Sequence, residues 1–165
     1  MEIPPEDITA LAIMIVESNP AEARLIAEAF RDAGLTGGIQ QLHDGDEALS
    51  ALRREPPFQN GTLPDLILLD LSLPRKSGLE VLQEIRASGG VECIPVIILS
   101  GSANPADIRK AYALGANCYI RKPNDLDEFM SVIQMCYQFW TKAVSLPPRS
   151  APSLTTHSDN EKHRS

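Results

Sequence analysis

The chain has 165 residues, 43% of them hydrophobic and 22% charged, and a formal net charge of −7. That length and composition suit one soluble domain with its own core, and the acidic balance weighs against non-specific binding to nucleic acid or anionic membranes. No apolar run approaches the roughly 18 residues of a membrane span, and the acidic start Met1-Glu2-Ile3-Pro4-Pro5-Glu6-Asp7 is unlike a secretory signal.

Cys93, Cys118 and Cys136 are odd in number and widely spaced, so they form no disulfide framework. A reducing, cytoplasmic setting is expected, with all three thiols buried as small hydrophobes.

The apolar run 10–16 has strand length and ends at Glu17. Asn19-Pro20-Ala21-Glu22 has the form of a helix start: Asn caps, Pro takes the first helical position and Glu reaches back to the cap. Leu25, Ile26, Ala29 and Phe30 follow at helical spacing until Gly34. Residues 38–42 make a weaker second strand, and Asp44-Gly45-Asp46-Glu47 caps a helix to about Arg53. Prolines and Asn60-Gly61 mark 55–64 as a loop.

Residues 65–70 form the third strand, and its Leu66-Ile67-Leu68-Leu69 run suits burial on both faces. A helix over about 77–88 places Leu79, Leu82 and Ile85 on one face, and 95–100 is the fourth strand. Asn104 opens a helix that Gly115 closes, 117–120 is the fifth strand, and Asp125 caps a last helix to about Val144. The alternation predicts an α/β fold with a doubly wound, five-stranded parallel sheet and helices on both faces. The folded domain is expected over 1–146. Beyond Leu146 the chain turns polar and proline-rich, which predicts a disordered tail over 147–165.

The strand ends carry the chemistry. Glu17 follows the first strand, Asp70 the third and Lys122 the fifth, while Ser100 ends the fourth. In an open parallel sheet ligands bind outside the carboxyl ends of the strands, so these four side chains are expected to meet. Two carboxylates, a hydroxyl and an ammonium suit a divalent cation and a phosphoryl group.

Four segments together resemble the receiver domain of two-component response regulators, over about 11–144. They are Ile15-Val16-Glu17-Ser18-Asn19-Pro20, then Pro64 to Pro74 with Ser77-Gly78, then Pro95-Val96-Ile97-Ile98-Leu99-Ser100-Gly101-Ser102, then Gly115 to Pro123. The resemblance implies strand order 2-1-3-4-5, the flavodoxin-like receiver fold. It implies that Asp70 accepts a phosphoryl group from a phosphohistidine on a sensor histidine kinase. Glu17, Asp70 and the backbone carbonyl of Ser72 would hold Mg²⁺, Lys122 would pair with the phosphoryl oxygens, and Ser100 and Tyr119 would be the switch pair. The Lys122–Pro123 bond would be cis. One residue departs from the family pattern of two adjacent acids after the first strand: Ser18 replaces the second. Mg²⁺ needs only one or two protein carboxylates, so this weakens the site without abolishing it, with Ser18 at most a weak or water-mediated ligand.

Other residues read two ways. Tyr119 is a switch residue or a half-buried strand residue. Arg75 and Lys76 steer a phosphorylated partner or form a solvated basic pair. His43, His157 and His163 have no metal-ligand spacing. The last helix carries two apolar stripes: Leu126, Phe129, Ile133, Cys136, Trp140 and Val144 face the core, while Val132, Met135, Phe139 and Ala143 are left over. The second stripe suggests a homodimer interface, or a surface that loops or the tail cover. This ending also resembles single-domain regulators that partner bacterial phytochrome kinases.

The expectation is a stand-alone receiver that signals through protein contacts or onward phosphotransfer. It is not an enzyme beyond its own self-catalysed phosphorylation. A degenerate receiver that binds partners without phosphorylation is the alternative. A haloacid dehalogenase-type phosphatase would need a second Asp where Ser72 stands, and in a flavodoxin-like cofactor binder Glu17 would repel the phosphate.

Overall fold

The computed structural model describes residues 10–148. β1 (Ile13–Val16) leads to α1 (Pro20–Asp32), β2 (Ile39–Leu42) to α2 (Gly45–Leu52) and β3 (Leu66–Leu69) to α3 (Gly78–Ala87). β4 (Val96–Ser100) then leads to α4 (Pro105–Ala113), and β5 (Cys118–Arg121) to α5 (Leu126–Lys142). All five strands pair in parallel in the order β2-β1-β3-β4-β5, as expected. Each helix opens on a side-chain cap: Asn19, Asp44, Ser77, Asn104 and Asp125 accept from the first-turn N–H groups.

Alternation along the strands divides the core into two layers. Ile13, Ile15, Leu66, Leu68, Ile97 and Leu99 face α1 and α5, where Phe30 meets Tyr137 edge-to-face at 6.0 Å. Met14, Val16, Ile67, Leu69, Val96 and Ile98 face the other way, onto Leu49 and Leu52 of α2, Leu82 and Ile85 of α3 and Ala111 of α4. Arg86 fastens this second layer. Its guanidinium donates to the carbonyls of Gly115 (3.0 Å), Glu92 (2.9 Å) and Ile94 (2.8 Å) and to Asn117 Oδ1 (2.8 Å).

The ladder continues past the strand ends and fixes the backbone of the residues that follow. The Glu17 N–H donates to the Leu42 carbonyl at 2.9 Å, the Asp70 N–H to the Val16 carbonyl at 3.0 Å and the Lys122 N–H to the Ser100 carbonyl at 2.7 Å. Gly78 opens α3 directly against this region. A Cβ there would stand 2.1 Å from the Asp70 carbonyl oxygen and 2.7 Å from Leu71 Cα. Only a residue without a side chain allows that approach.

Two expectations need correction. Cys136 is buried and Cys118 partly so, but Cys93 is exposed in the connection between α3 and β4. On α5 the buried residues are Phe129, Ile133, Cys136, Tyr137 and Trp140, whereas Leu126 at the first helical position is 55% exposed. Tyr137 takes the place in the core that the stripe had given to Leu126. Of the other stripe Met135 (66%), Phe139 (55%) and Ala143 are exposed, while Val132 is half-buried. Val144 and Leu146 pack on the α1/α5 layer. The start of the expected domain, 1–9, and all but Pro147 and Pro148 of the expected tail, 147–165, lie outside the described residues. No helix among the described residues is long and apolar enough to cross a membrane.

Candidate functional site

The topology brings Glu17, Asp70 and Lys122 into contact at the carboxyl end of the sheet. The Lys122 ammonium donates to Glu17 Oε2 at 2.7 Å and to Asp70 Oδ2 at 3.0 Å. Its third donor goes to Glu22 Oε2 at 2.7 Å, from the first turn of α1. Glu17 and Asp70 are 3% and 7% exposed. Burial pushes the Glu17 carboxyl up to about 7; the hydrogen bond from Lys122 pulls it down, and Asp70 beside it adds to the rise. For Lys122 burial alone would favour the neutral amine. Hydrogen bonds to Glu17 and Glu22, with the Asp70 charge, outweigh it and hold the ammonium above its usual range.

Local bonds aim the carboxylates. Asp70 Oδ1 accepts the Ser72 N–H at 3.0 Å, leaving Oδ2 toward Lys122. Glu17 Oε1 accepts the Asn19 N–H at 3.1 Å. The His43 ring nitrogen Nδ1 lies 3.0 Å from the Glu17 carbonyl and bears on the backbone behind the site, not on its carboxylates. The Ser18 hydroxyl donates to the Ser72 carbonyl at 3.4 Å.

Ser100 is buried, and its hydroxyl accepts the Ser102 N–H at 3.1 Å. Tyr119 is half-buried, and its phenol donates to the Ser102 carbonyl at 2.8 Å. Ser102 in turn donates its own hydroxyl to Asp107 of α4 at 2.7 Å. Arg75 and Lys76 are not free cations: Arg75 pairs with Asp44 at 2.6 Å, and Lys76 pairs with Asp46 at 3.5 Å and with Glu84. The peptide expected to be cis is not: among the described residues only Pro56–Pro57 is cis, and the Lys122 ammonium reaches both acids with a trans bond to Pro123.

Glu22 was missed as a site residue, because an acid three positions after a capping Asn reads as a partner of the cap. That reach-back is absent: the Asn19 N–H is taken by Glu17. Carboxylate oxygens of Glu17, Glu22 and Asp70 lie within 4.8 Å of one another. This set of hard oxygen donors fits a small divalent cation.

A parallel 2-1-3-4-5 sheet with buried acids and a lysine at its carboxyl end defines a receiver. The chain belongs to the response regulator receiver family, whose domain model matches residues 13–134. It is 36% identical to the response regulator Rcp1 of Synechocystis sp. over 135 residues, covering 82% of this chain and 92% of that protein. It is 38% identical over 128 residues to a probable methanogenesis regulatory protein, FilR2, of Methanothrix harundinacea, covering 78% and 82% of the two chains.

Among solved structures, the phosphorylated cyanobacterial phytochrome response regulator RcpA superposes with a TM-score of 0.81 at 40% identity, over 84% of this chain and 99% of that one. The Mn²⁺-bound form of Rcp1 gives 0.79 at 36% identity, with the same coverage. The family and these likenesses place the chain in two-component signalling, and the expected likeness to phytochrome-associated regulators is borne out.

Proposed function

We propose that this receiver is a phosphorylation switch in which Asp70 takes the phosphoryl group from a phosphohistidine of a sensor histidine kinase. The observation that carries this reading is the Lys122 ammonium bonded to both Asp70 and Glu17 at the sheet's carboxyl end. Glu17, Asp70 and the Ser72 carbonyl would hold Mg²⁺, which when bound neutralises charge on the transferring group. Lys122 adds a fixed positive charge in a poorly solvated site, where it acts more strongly than in water. The Ser72 N–H holds one oxygen of Asp70 and so orients the other. In this reading the chain catalyses only its own phosphorylation.

The product adds about −1.5 to −2 charges at one point. The Ser100 hydroxyl is positioned to leave the Ser102 N–H and meet that charge. Tyr119, which grips the same Ser102, then loses or changes its anchor. This is the proposed signal. The likeness to RcpA, a phytochrome response regulator, and to the bacteriophytochrome response regulator AtBRR (TM-score 0.64, 36% identity, 79% of this chain and 92% of that one) supports a bacteriophytochrome kinase as the cytoplasmic partner. The open stripe of Met135 and Phe139 supports a homodimer through α5, the same patch on both chains.

Ser18 favours one other reading, a degenerate receiver that acts without phosphorylation, since it supplies no carboxylate and bonds the Ser72 carbonyl instead. Intact-mass measurement after a small-molecule phosphodonor with Mg²⁺ separates the two. The switch gains one phosphoryl group; the degenerate receiver gains none.

A further inference from the structure

We propose that Glu22 supplies the third carboxylate that Ser18 leaves out, so that the cation site of this chain is built from Glu17, Asp70 and Glu22. The inference rests on the reading of this site as a Mg²⁺-assisted phosphoacceptor.

Glu22 points away from the cap it would ordinarily serve. A glutamate at the third position of a helix ordinarily bonds back to the capping residue's N–H, and α3 does this with Ser77 and Glu80. In α1 that N–H, on Asn19, is taken by Glu17 Oε1 at 3.1 Å. Glu22 is released from capping and turns to Lys122 at 2.7 Å, a residue 100 positions away in sequence. Asn19 still satisfies the first turn through its own side chain, accepting from Ala21 and Glu22. The helix therefore does not need the Glu22 carboxylate.

Charge points the same way. Asp70 and Glu17 with the Lys122 ammonium sum to −1, and a divalent cation added to them would leave an excess of +1. With Glu22 the same groups sum to −2, which a divalent cation neutralises. The family pattern reaches that count with an acid at the position Ser18 occupies. Here the count is restored from the first turn of α1. Oxygens of all three acids lie within 4.8 Å of one another, gathered around the Lys122 ammonium that bonds each of these residues. The Ser18 hydroxyl is turned to the Ser72 carbonyl at 3.4 Å.

The test is Mg²⁺ titration by calorimetry of wild type, Glu22→Gln, Ser18→Asp and the double variant Ser18→Asp/Glu22→Gln, with near-UV circular dichroism as a check on folding. Losing Glu22 is expected to weaken Mg²⁺ by about tenfold or more. Ser18→Asp alone is expected to tighten it, and in the double variant to recover at least wild-type affinity, because the carboxylate has been moved rather than removed. Unchanged affinity in folded Glu22→Gln would overturn the proposal. So would a double variant as weak as Glu22→Gln, since a carboxylate at position 18 would then not replace the one lost at Glu22. Wild type that takes up no Mg²⁺ would overturn the parent reading of the site, and this inference with it.

Discussion

Tyr119 and Ser100 are joined through one residue: the Tyr119 phenol donates to the Ser102 carbonyl at 2.8 Å, and the Ser102 N–H donates to Ser100 Oγ at 3.1 Å. The end of β4 and the middle of β5 are thus held by the same residue, and a change at Ser100 has a direct route to Tyr119. Tyr119→Phe is expected to cost about 1 kcal/mol of stability, the net worth of one hydrogen bond. It should leave the rate of Asp70 phosphorylation within twofold of wild type while weakening the difference between the phosphorylated and free forms. Hydrogen exchange of the segment from Ser100 to Asp107 checks this. A phosphorylation-dependent change of full size in the variant would show that Tyr119 is not part of the readout.

Glu17 sets a pH dependence. In the unfolded chain it ionises near 4.5, and in the folded, cation-free site at about 7, chiefly because it is buried. Between those values the folded state keeps a proton that the unfolded state has lost, so its contribution to stability falls as pH rises through that window. Relative to Glu17→Gln, the wild type is expected to lose melting temperature between pH 5 and pH 8 in EDTA, and Mg²⁺ should reverse the loss at pH 8. A difference between the two proteins that stays flat with pH would contradict the shift.

Gly78 carries a steric prediction. Gly78→Ala puts a methyl group 2.1 Å from the Asp70 carbonyl oxygen, and backbone cannot yield as a flexible side chain would. The expected cost is on the order of 2 kcal/mol or more, with slower phosphorylation because the displaced peptide belongs to the acceptor. Thermal melts and phosphorylation kinetics of one preparation measure both. A variant as stable and as fast as wild type would mean that the α3 start relaxes freely.

α5 separates folding from association at adjacent residues. Phe139 is 55% exposed and Trp140 is 7% exposed, their rings edge-to-face at 5.8 Å. Trp140→Ala is expected to cost about 3 kcal/mol of stability as a core truncation. Phe139→Ala should leave the melting temperature nearly unchanged and weaken dimerisation by roughly tenfold or more, as an interface aromatic does. Sedimentation over a range of concentrations decides. A wild type that stays monomeric throughout, phosphorylated or not, would remove the dimer and leave some other part of the chain to cover the stripe.

Much of the sheet was legible because its signal is local. The Leu66–Leu69 run is apolar without interruption, and the residue that follows it is the buried acid Asp70. The order of strand ends then led to Glu17 and Lys122, which meet Asp70 through the Lys122 ammonium, whereas the Ser100 hydroxyl bonds to Ser102 instead. What the sequence hid depends on contacts far along the chain. Glu22 looks like a cap until its bond to Lys122 is seen, and Arg86 looks like a surface base until its four acceptors are seen. Periodicity assigned Leu126 to the core because it cannot tell where a helix first meets the sheet, and α5 does so at Phe129. Cys93 sits in a connection, where its apolar character carries no information about burial.

The central claim is that Asp70, and no other residue, carries the phosphoryl group. The most direct test is intact-mass analysis of wild type and Asp70→Asn after the same small-molecule phosphodonor with Mg²⁺, the variant keeping the side chain's shape while removing the nucleophile. The account predicts a gain of about 80 Da, one phosphoryl group, in wild type and none in the variant. The same gain in Asp70→Asn, or no gain in wild type, would contradict it.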